Sequence, residues 1–183
     1  QQKIDLPALE KAANVMERSL SQRSGDFAKG FESEKIDFTK ISTLLTETEA
    51  LVEIIHVRSF DKDFTAESRY IVLVLTKGST QPTMALLDNG NQLDTRYAKF
   101  YKNAIQQKLN DEHSFAQYWQ RIEPLLAGKK IIYLSPDGVY NQINVNTLKK
   151  TDGPYLVNQF DVVVIGNAKD VIPIKQRKQT VAR

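Results

Sequence analysis

Residues 130–148 have the sequence KIIYLSPDGVYNQINVNTL, and they carry the clearest structural signal in the chain. Residues 130–135 place apolar side chains on both faces of a short strand, which is typical of the centre of a covered parallel sheet. Pro136-Asp137-Gly138 then combines three residue types that favour a tight turn. A second apolar run, DVVVIG at 161–166, predicts another buried strand of the same kind. The segment therefore predicts an α/β core with two parallel strands.

A different strand pattern lies upstream of this core. Its β-rich runs are short and are separated by polar turn residues at 61–63 and 78–79. Sequential strands with short links favour an antiparallel meander, predicted here over 50–88. The three predicted strands cover residues 50–59, 69–77 and 82–88.

Helical periodicity surrounds the meander. An N-terminal helical segment is predicted over 1–48, with an amphipathic helix at 6–23 and a second helix at about 37–46, N-capped by Asp37. A helical pair over 92–127 should link the meander to the core, with Pro124 kinking or breaking its second member. The fold class is therefore mixed α+β: N-terminal helices, a three-strand meander, a helical pair and then two parallel strands.

The positive charge of the chain is concentrated at its end. Residues 169–183 contain five basic side chains and one acid, a net charge of +4, so the total of +3 leaves residues 1–168 at −1. Only scattered apolar residues follow Pro173, and 169–183 is predicted to be a basic linker tail. A basic stripe with interleaved aromatic residues is missing, which argues against nucleic acid as a partner.

Composition excludes several classes of chemistry. The chain has no cysteine, which removes disulfides, cysteine-ligated metals and a cysteine nucleophile from this segment. No apolar run approaches the roughly 18 residues that span a membrane. No phosphate-binding loop or G-x-S-x-G motif occurs, so no cofactor and no metal are predicted. Localisation is not fixed by the sequence, which slightly favours the cytoplasm.

Three segments, taken in order, resemble the CHAT family of caspase-like domains that often accompany tetratricopeptide repeats. LLTETEALVEIIHV (Leu44–Val57) resembles the family's opening, where a helix runs into the first meander strand. KIIYLSPDGVYNQINVNTL (Lys130–Leu148) resembles its strand–PDG–hairpin signature, and GPYLVNQFDVVVIGNAKDVI (Gly153–Ile172) resembles the segment after it. Asn144-Val145 and Gly166-Asn167 depart from the usual Pro-Phe and Pro-Ser, which suggests a divergent branch.

This resemblance implies a caspase/separase-type core whose first two strands are 130–135 and 161–166, so that 49–168 would be a partial CHAT domain. The family's catalytic His and Cys belong to later strands, and neither matches a position in this chain. The expectation is therefore the N-terminal, non-catalytic portion of a cysteine peptidase, inactive alone. It would supply scaffold and part of the substrate cleft to the remainder of the domain, beside tetratricopeptide repeats. Two alternatives stay open: a non-catalytic protein–protein interaction module and an unrelated α+β domain.

Few residues are candidates for a functional site. Ser135, Asp137 and Asn167 follow the two core strands and would lie at the rim of a cleft, because α/β folds bind ligands at the carboxyl ends of parallel strands. Turn capping is the simpler role for Asp137, with Gly138 taking a positive φ. His56 is interpreted as structural and His113 as solvated, and no catalytic residue is assigned.

The predicted partners are a protein or peptide, with no membrane. Two parallel strands without further neighbours leave an open sheet edge. The chain is expected to cover that edge with its own tail, to dimerise through it, or to aggregate.

Overall fold

The computed structural model describes residues 6–23 and 37–181, which belong to two compact units, 1–36 and 37–183. Helix α1 (Leu6–Arg23) is the described element of the first unit and has the predicted bounds. Helix α2 (Phe38–Leu44) begins as predicted, because the Asp37 carboxylate accepts a hydrogen bond from the Lys40 N–H at 2.9 Å. The second unit begins at Asp37, so α2 belongs to the same unit as the sheet.

The meander has the predicted antiparallel pairing and longer strands. Strands β1 (Glu49–Asp61) and β2 (Asp63–Thr76) form a long hairpin whose single turn residue, Lys62, has a φ of 62°. Strand β3 (Thr83–Leu87) pairs with β2. The polar residues at 61–63 therefore form a tight turn that joins β1 directly to β2, without a longer loop.

Strands β4 (Ile131–Ser135) and β5 (Asp161–Val164) pair in parallel, as predicted. The sheet order is β3-β2-β1-β4-β5, and β4 is also parallel to β1. The fold is thus a mixed five-stranded sheet in an α+β chain. The prediction that β5 is a buried strand was wrong, since β5 is an edge strand and Val164 is 64% exposed.

Alternation along β1 divides the buried residues between two faces of the sheet. One face carries the main hydrophobic core and is covered by the helices and loops of residues 90–160. Leu51 and Tyr133 alternate with these core residues and are also buried, on the face towards α2 and the C-terminal helix. The strand residues of the main core are Ala50, Val52, Ile54, Tyr70, Val72, Val74, Leu87, Ile132 and Leu134.

The helical pair is less regular than predicted. Its first member consists of α3 (Gly90–Gln92), a π-helix (Leu93–Tyr97) and α4 (Ala98–Gln106) in direct succession. Its second member breaks after α5 (Ser114–Tyr118) into a 3₁₀ turn, Glu123–Leu126, which contains Pro124. The second member is therefore broken into two short pieces, and Pro124 lies in the second of them.

Short 3₁₀ turns cover the segment between and after the parallel strands, and the chain then ends in helix α6 (Val171–Val181). The prediction of a linker over 169–183 was therefore wrong for its described part. Asn167 and Asp170 form a capping box, and Pro173 lies in the first turn of α6, where its missing N–H costs little. The turns are Gly138–Gln142, Val145–Thr147, Leu156–Asn158 and Ala168–Asp170.

Candidate functional site at the carboxyl ends of the parallel strands

Strands β1, β4 and β5 run in the same direction, so the chain leaves β4 and β5 at one edge of the sheet. Ser135, the last residue of β4, lies in register with Glu53 of β1. The Pro136-Asp137-Gly138 turn follows β4, and Gly166-Asn167 follows β5. Polar groups from three strands therefore meet where α/β sheets place ligand sites.

Glu53 is the centre of this arrangement. The Ser135 hydroxyl donates to Glu53 Oε1 at 3.0 Å, and a backbone hydrogen bond from Ala168 also reaches the carboxyl group. Oε2 is buried and has no hydrogen-bond partner within the described residues. We call Glu53, Ser135, Asp137 and the Asn167-Ala168 backbone the Glu53 pocket.

The environment of Glu53 favours its neutral form. Burial is the largest influence and raises the pKa of the carboxyl group, and the negative charge of Asp137 adds to the rise. Hydrogen bonds from Ser135 and Ala168 oppose the change without reversing it. The result is a half-buried acid that gains stability from a proton or from a cationic partner on Oε2.

Asp137 ties the turn to the sheet. Its Oδ1 accepts from the Gly138 N–H at 2.7 Å, and its Oδ2 accepts from the backbone N–H of His56 at 2.9 Å. The second bond gives the backbone N–H of His56 a partner at a point where β4 has ended and no longer pairs with β1. Gly138 has the expected positive φ, 56°. The turn-capping interpretation of Asp137 is therefore confirmed.

Asn167 caps the turn that leads into α6. Its side chain accepts from the Lys169 N–H at 3.0 Å, while Asp170 Oδ2 accepts from the N–H groups of Gly166 and Asn167, both at 3.0 Å. These bonds fix the loop that brings Ala168 to Glu53. Asn167 thus shapes the pocket through the position of its backbone. Its side-chain oxygen accepts the capping hydrogen bond from the Lys169 N–H.

His56 lies on the opposite face of β1 from Glu53. Its ring stacks on Tyr70 at 4.8 Å between ring centroids, and Nε2 lies 3.3 Å from Asp94 Oδ2. Tyr70 donates to Asp94 and accepts from the Val139 N–H at 2.9 Å, and burial raises its pKa. These contacts agree with the structural role predicted for His56. His113 is exposed, and its ring lies edge-on to Phe100.

The Ser135 side chain is almost fully enclosed at this site. Ser135 is 3% exposed and its hydroxyl donates to the Glu53 carboxylate, so the hydroxyl is enclosed in the folded chain. The described residues contain no cluster of three His, Asp or Glu side chains that could hold a metal ion. Within 6–23 and 37–181, no helix is long and apolar enough to cross a bilayer.

Comparisons of the chain with protein-family models, with curated proteins and with solved structures found no match.

Proposed function

We propose that this chain is the N-terminal, non-catalytic portion of a caspase-like CHAT cysteine-peptidase domain and that the Glu53 pocket forms part of its substrate cleft. The observation that carries the proposal is the gathering of Glu53, Ser135 and Asp137 at the carboxyl end of β4, beside the parallel strand β1. The resemblance of Leu44–Val57, Lys130–Leu148 and Gly153–Ile172 to CHAT segments supports the same assignment. In this proposal, the nucleophile and its base come from outside the chain.

The role of this portion follows from its geometry. The sheet fixes the cleft floor, and the Asp137 turn is held to β1 by the 2.9 Å bond to His56 N–H. An unpaired carboxyl oxygen at the cleft suits a substrate side chain that donates a hydrogen bond or carries positive charge. Substrate binding, and not bond cleavage, is therefore the function assigned to these residues.

A thiol-directed peptidyl acyloxymethyl ketone tests the proposal on the product of the native gene. We expect covalent labelling that a peptide substrate competes away, and no labelling of residues 1–183 alone, which contain no cysteine. Glu53→Gln in the native product should raise KM by about tenfold with kcat little changed, since it alters ground-state binding. Absence of any labelled thiol would refute the peptidase assignment.

The second candidate is a non-catalytic interaction module that docks repeat domains or other proteins. Its support is that the Ser135 hydroxyl at the pocket is enclosed, since Ser135 is 3% exposed and bonded to Glu53. A native product that binds tetratricopeptide repeats but never reacts with the ketone would favour this candidate.

A further inference from the structure

A second concave site lies away from the Glu53 pocket. It is formed between the first member of the helical pair, which contains the π-helix and α4, and helix α5. It is a groove of about 550 Å³, within the roughly 300–1,000 Å³ typical of ligand sites. It shares no lining residue with the Glu53 pocket, and its interpretation does not depend on the peptidase proposal. The groove is lined by Arg96, Tyr97, Lys99, Phe100, Asn103, His113, Ser114 and Gln117.

A buried polar group without a partner lines this groove. Ser114 is 2% exposed, and its Oγ has no hydrogen-bond partner within the described residues. Its backbone N–H is satisfied by Asp111 Oδ1 at 2.9 Å, so the helix start itself is capped. An unpaired buried hydroxyl is unfavourable for the folded state, which makes Ser114 Oγ an available hydrogen-bonding group for a ligand.

The groove also presents an aromatic surface. Phe100 is 41% exposed although it lies on a helix that packs on the core, and its ring is edge-on to His113 at 5.5 Å. Tyr97 belongs to the π-helix, a wide helical turn often found at functional sites. Exposed aromatic side chains of this kind are enriched where proteins meet partners.

The charged side chains that line the groove, Arg96 and Lys99, are both basic. Arg96 and Lys99 form no ion pair within the described part of the chain, and Arg96 lies 5.7 Å above the Tyr97 ring. None of the lining residues is acidic. The nearby Asp111 carboxylate accepts from the N–H groups of His113 and Ser114. The groove therefore combines an aromatic wall with two cations that have no ion-pair partner among the described residues.

We propose that this groove binds a partner protein through a peptide segment that carries Asp or Glu beside an aromatic or aliphatic side chain. The acidic side chain pairs with Arg96 and Lys99, and the apolar side chain packs on Phe100. Ser114 Oγ, with the amides of Asn103 and Gln117, bonds the peptide backbone. Charge complementarity selects this occupant over a basic or neutral segment.

Fluorescence anisotropy with a labelled octapeptide, Ser-Glu-Asp-Phe-Asp-Leu-Ser-Gly, tests the proposal at about 0.15 M salt, where distant charges are screened. Two matched peptides replace the acids by Lys, or the Phe and Leu by Ser. We expect binding of the first peptide alone. The double variant Arg96→Glu with Lys99→Glu should raise the Kd of this peptide by about tenfold or more. Phe100→Ser should raise the Kd by about tenfold.

Two further variants separate a ligand contact from a general effect. Lys102→Glu makes the same charge change as Lys99→Glu alone, at a residue of α4 that contacts Gln142 instead of lining the groove, and it should change Kd less than about twofold. Ser114→Ala should weaken binding by about threefold while raising Tm, because it removes an unsatisfied buried hydroxyl.

Three outcomes would overturn the proposal: no binding of the acidic peptide at millimolar concentration, equal effects of Lys102→Glu and the Arg96/Lys99 reversals, or equal binding of the basic peptide. A change of oligomeric state in the Arg96/Lys99 variant without peptide binding would assign the groove to a second copy of the chain and would also contradict it.

Discussion

Gly138 lies at a position where the fold leaves no room for a Cβ atom. Its φ is 56°, and a Cβ atom there would lie 2.4 Å from the Tyr70 hydroxyl oxygen. That hydroxyl is held between Asp94 and the Val139 N–H, so it cannot move away without breaking buried hydrogen bonds. The PDG sequence therefore encodes both a turn and a close approach between the turn and β2.

Gly138→Ala should lower the free energy of unfolding by more than about 3 kcal/mol, because backbone strain of about 1–3 kcal/mol is added to the clash with Tyr70. Urea unfolding measures the change. Gly128→Ala is the matched control, since Gly128 has a φ of 75° but nothing within 4 Å of its Cβ position. Equal losses in the two variants would show that the close approach to Tyr70 has no cost.

Glu53→Gln should stabilise the chain at pH 7–8 by about 1 kcal/mol, the low end of the cost of an unpaired buried polar atom. The pKa of Glu53 is higher in the folded state than in the unfolded chain, so folding favours the protonated carboxyl group. The stabilising contribution of Glu53 is thus present at low pH and lost as pH rises through the folded pKa. The gain from Gln should vanish below the usual carboxyl pKa of 4.5.

Thermal unfolding of the Gln variant and wild type across pH 3–8 checks this pH dependence. Glu67→Gln serves as the control, because Glu67 is an exposed carboxylate paired with Arg69 at 3.8 Å and should show little pH-dependent difference. A Glu53→Gln variant that is less stable than wild type at pH 8 would contradict the assignment of an unpaired acid.

At the residue scale, position relative to a strand could be predicted from the sequence. Ser135 ends β4, and Asp137 and Asn167 follow β4 and β5. Their place at the rim of a substrate cleft stays a prediction. Glu53 was missed because its contacts with Ser135 and Ala168 join distant parts of the chain. The available signal was a lone acid between Leu51 and Ile55 on an apolar strand face, where an unpaired carboxylate is costly.

At the scale of elements, α6 depends on a buried ion pair. Lys175 Nζ contacts Glu49 Oε2, both side chains are almost fully buried, and the Tyr133 hydroxyl donates to Glu49 Oε1 at 3.2 Å. Burial by itself would raise the pKa of Glu49, but the hydrogen bonds from Lys175 and Thr46 lower it overall. This contact attaches α6 to the amino end of β1.

Lys175→Met should lower the free energy of unfolding by about 3 kcal/mol at neutral pH, because it leaves Glu49 buried without its partner. Since the folded pKa of Glu49 is depressed, the loss should shrink as pH falls through that pKa. Urea unfolding measures stability, and limited proteolysis reports release of α6.

Adding Glu49→Gln to Lys175→Met should recover most of the lost stability, since the double variant buries no unpaired charge. Lys77→Met is the control for an exposed pair, with Glu47 at 3.2 Å, and should cost less than about 1 kcal/mol. A double variant as unstable as Lys175→Met would show that the charge of Glu49 is not the cause.

Elements were predictable where periodicity was strong. The meander, β4, α1 and α2 come from apolar alternation or helical spacing, and all occur close to the predicted positions. The π-helix at Leu93–Tyr97 gives no periodic signal that differs from an α-helix. Helix α6 was missed because its apolar content is low, although Asn167, Asp170 and Pro173 together mark a helix start.

For the whole molecule, the sheet order leaves β5 with one paired side among the described residues. The expectation that the tail would cover this edge is not met by α6, which packs against α2 and the turn at Ala168–Asp170. Strand β5 carries neither Lys nor Pro, the residues that usually protect an edge. Strand order depends on pairing between distant segments, which local sequence patterns do not specify.

Val164→Lys should reduce concentration-dependent self-association of the chain, which we expect to occur by pairing of β5 edges. Ile165 N–H bonds the Leu134 carbonyl, so by alternation the N–H of Val164 points away from β4 and has no strand partner among the described residues. A lysine on an edge strand disfavours such pairing. Sedimentation velocity over a concentration series measures the association.

Val157→Lys is the control, because Val157 is similarly exposed (58% against 64%) but lies in a 3₁₀ turn. Equal effects of the two lysines, or a wild-type chain that stays monomeric throughout, would contradict edge pairing.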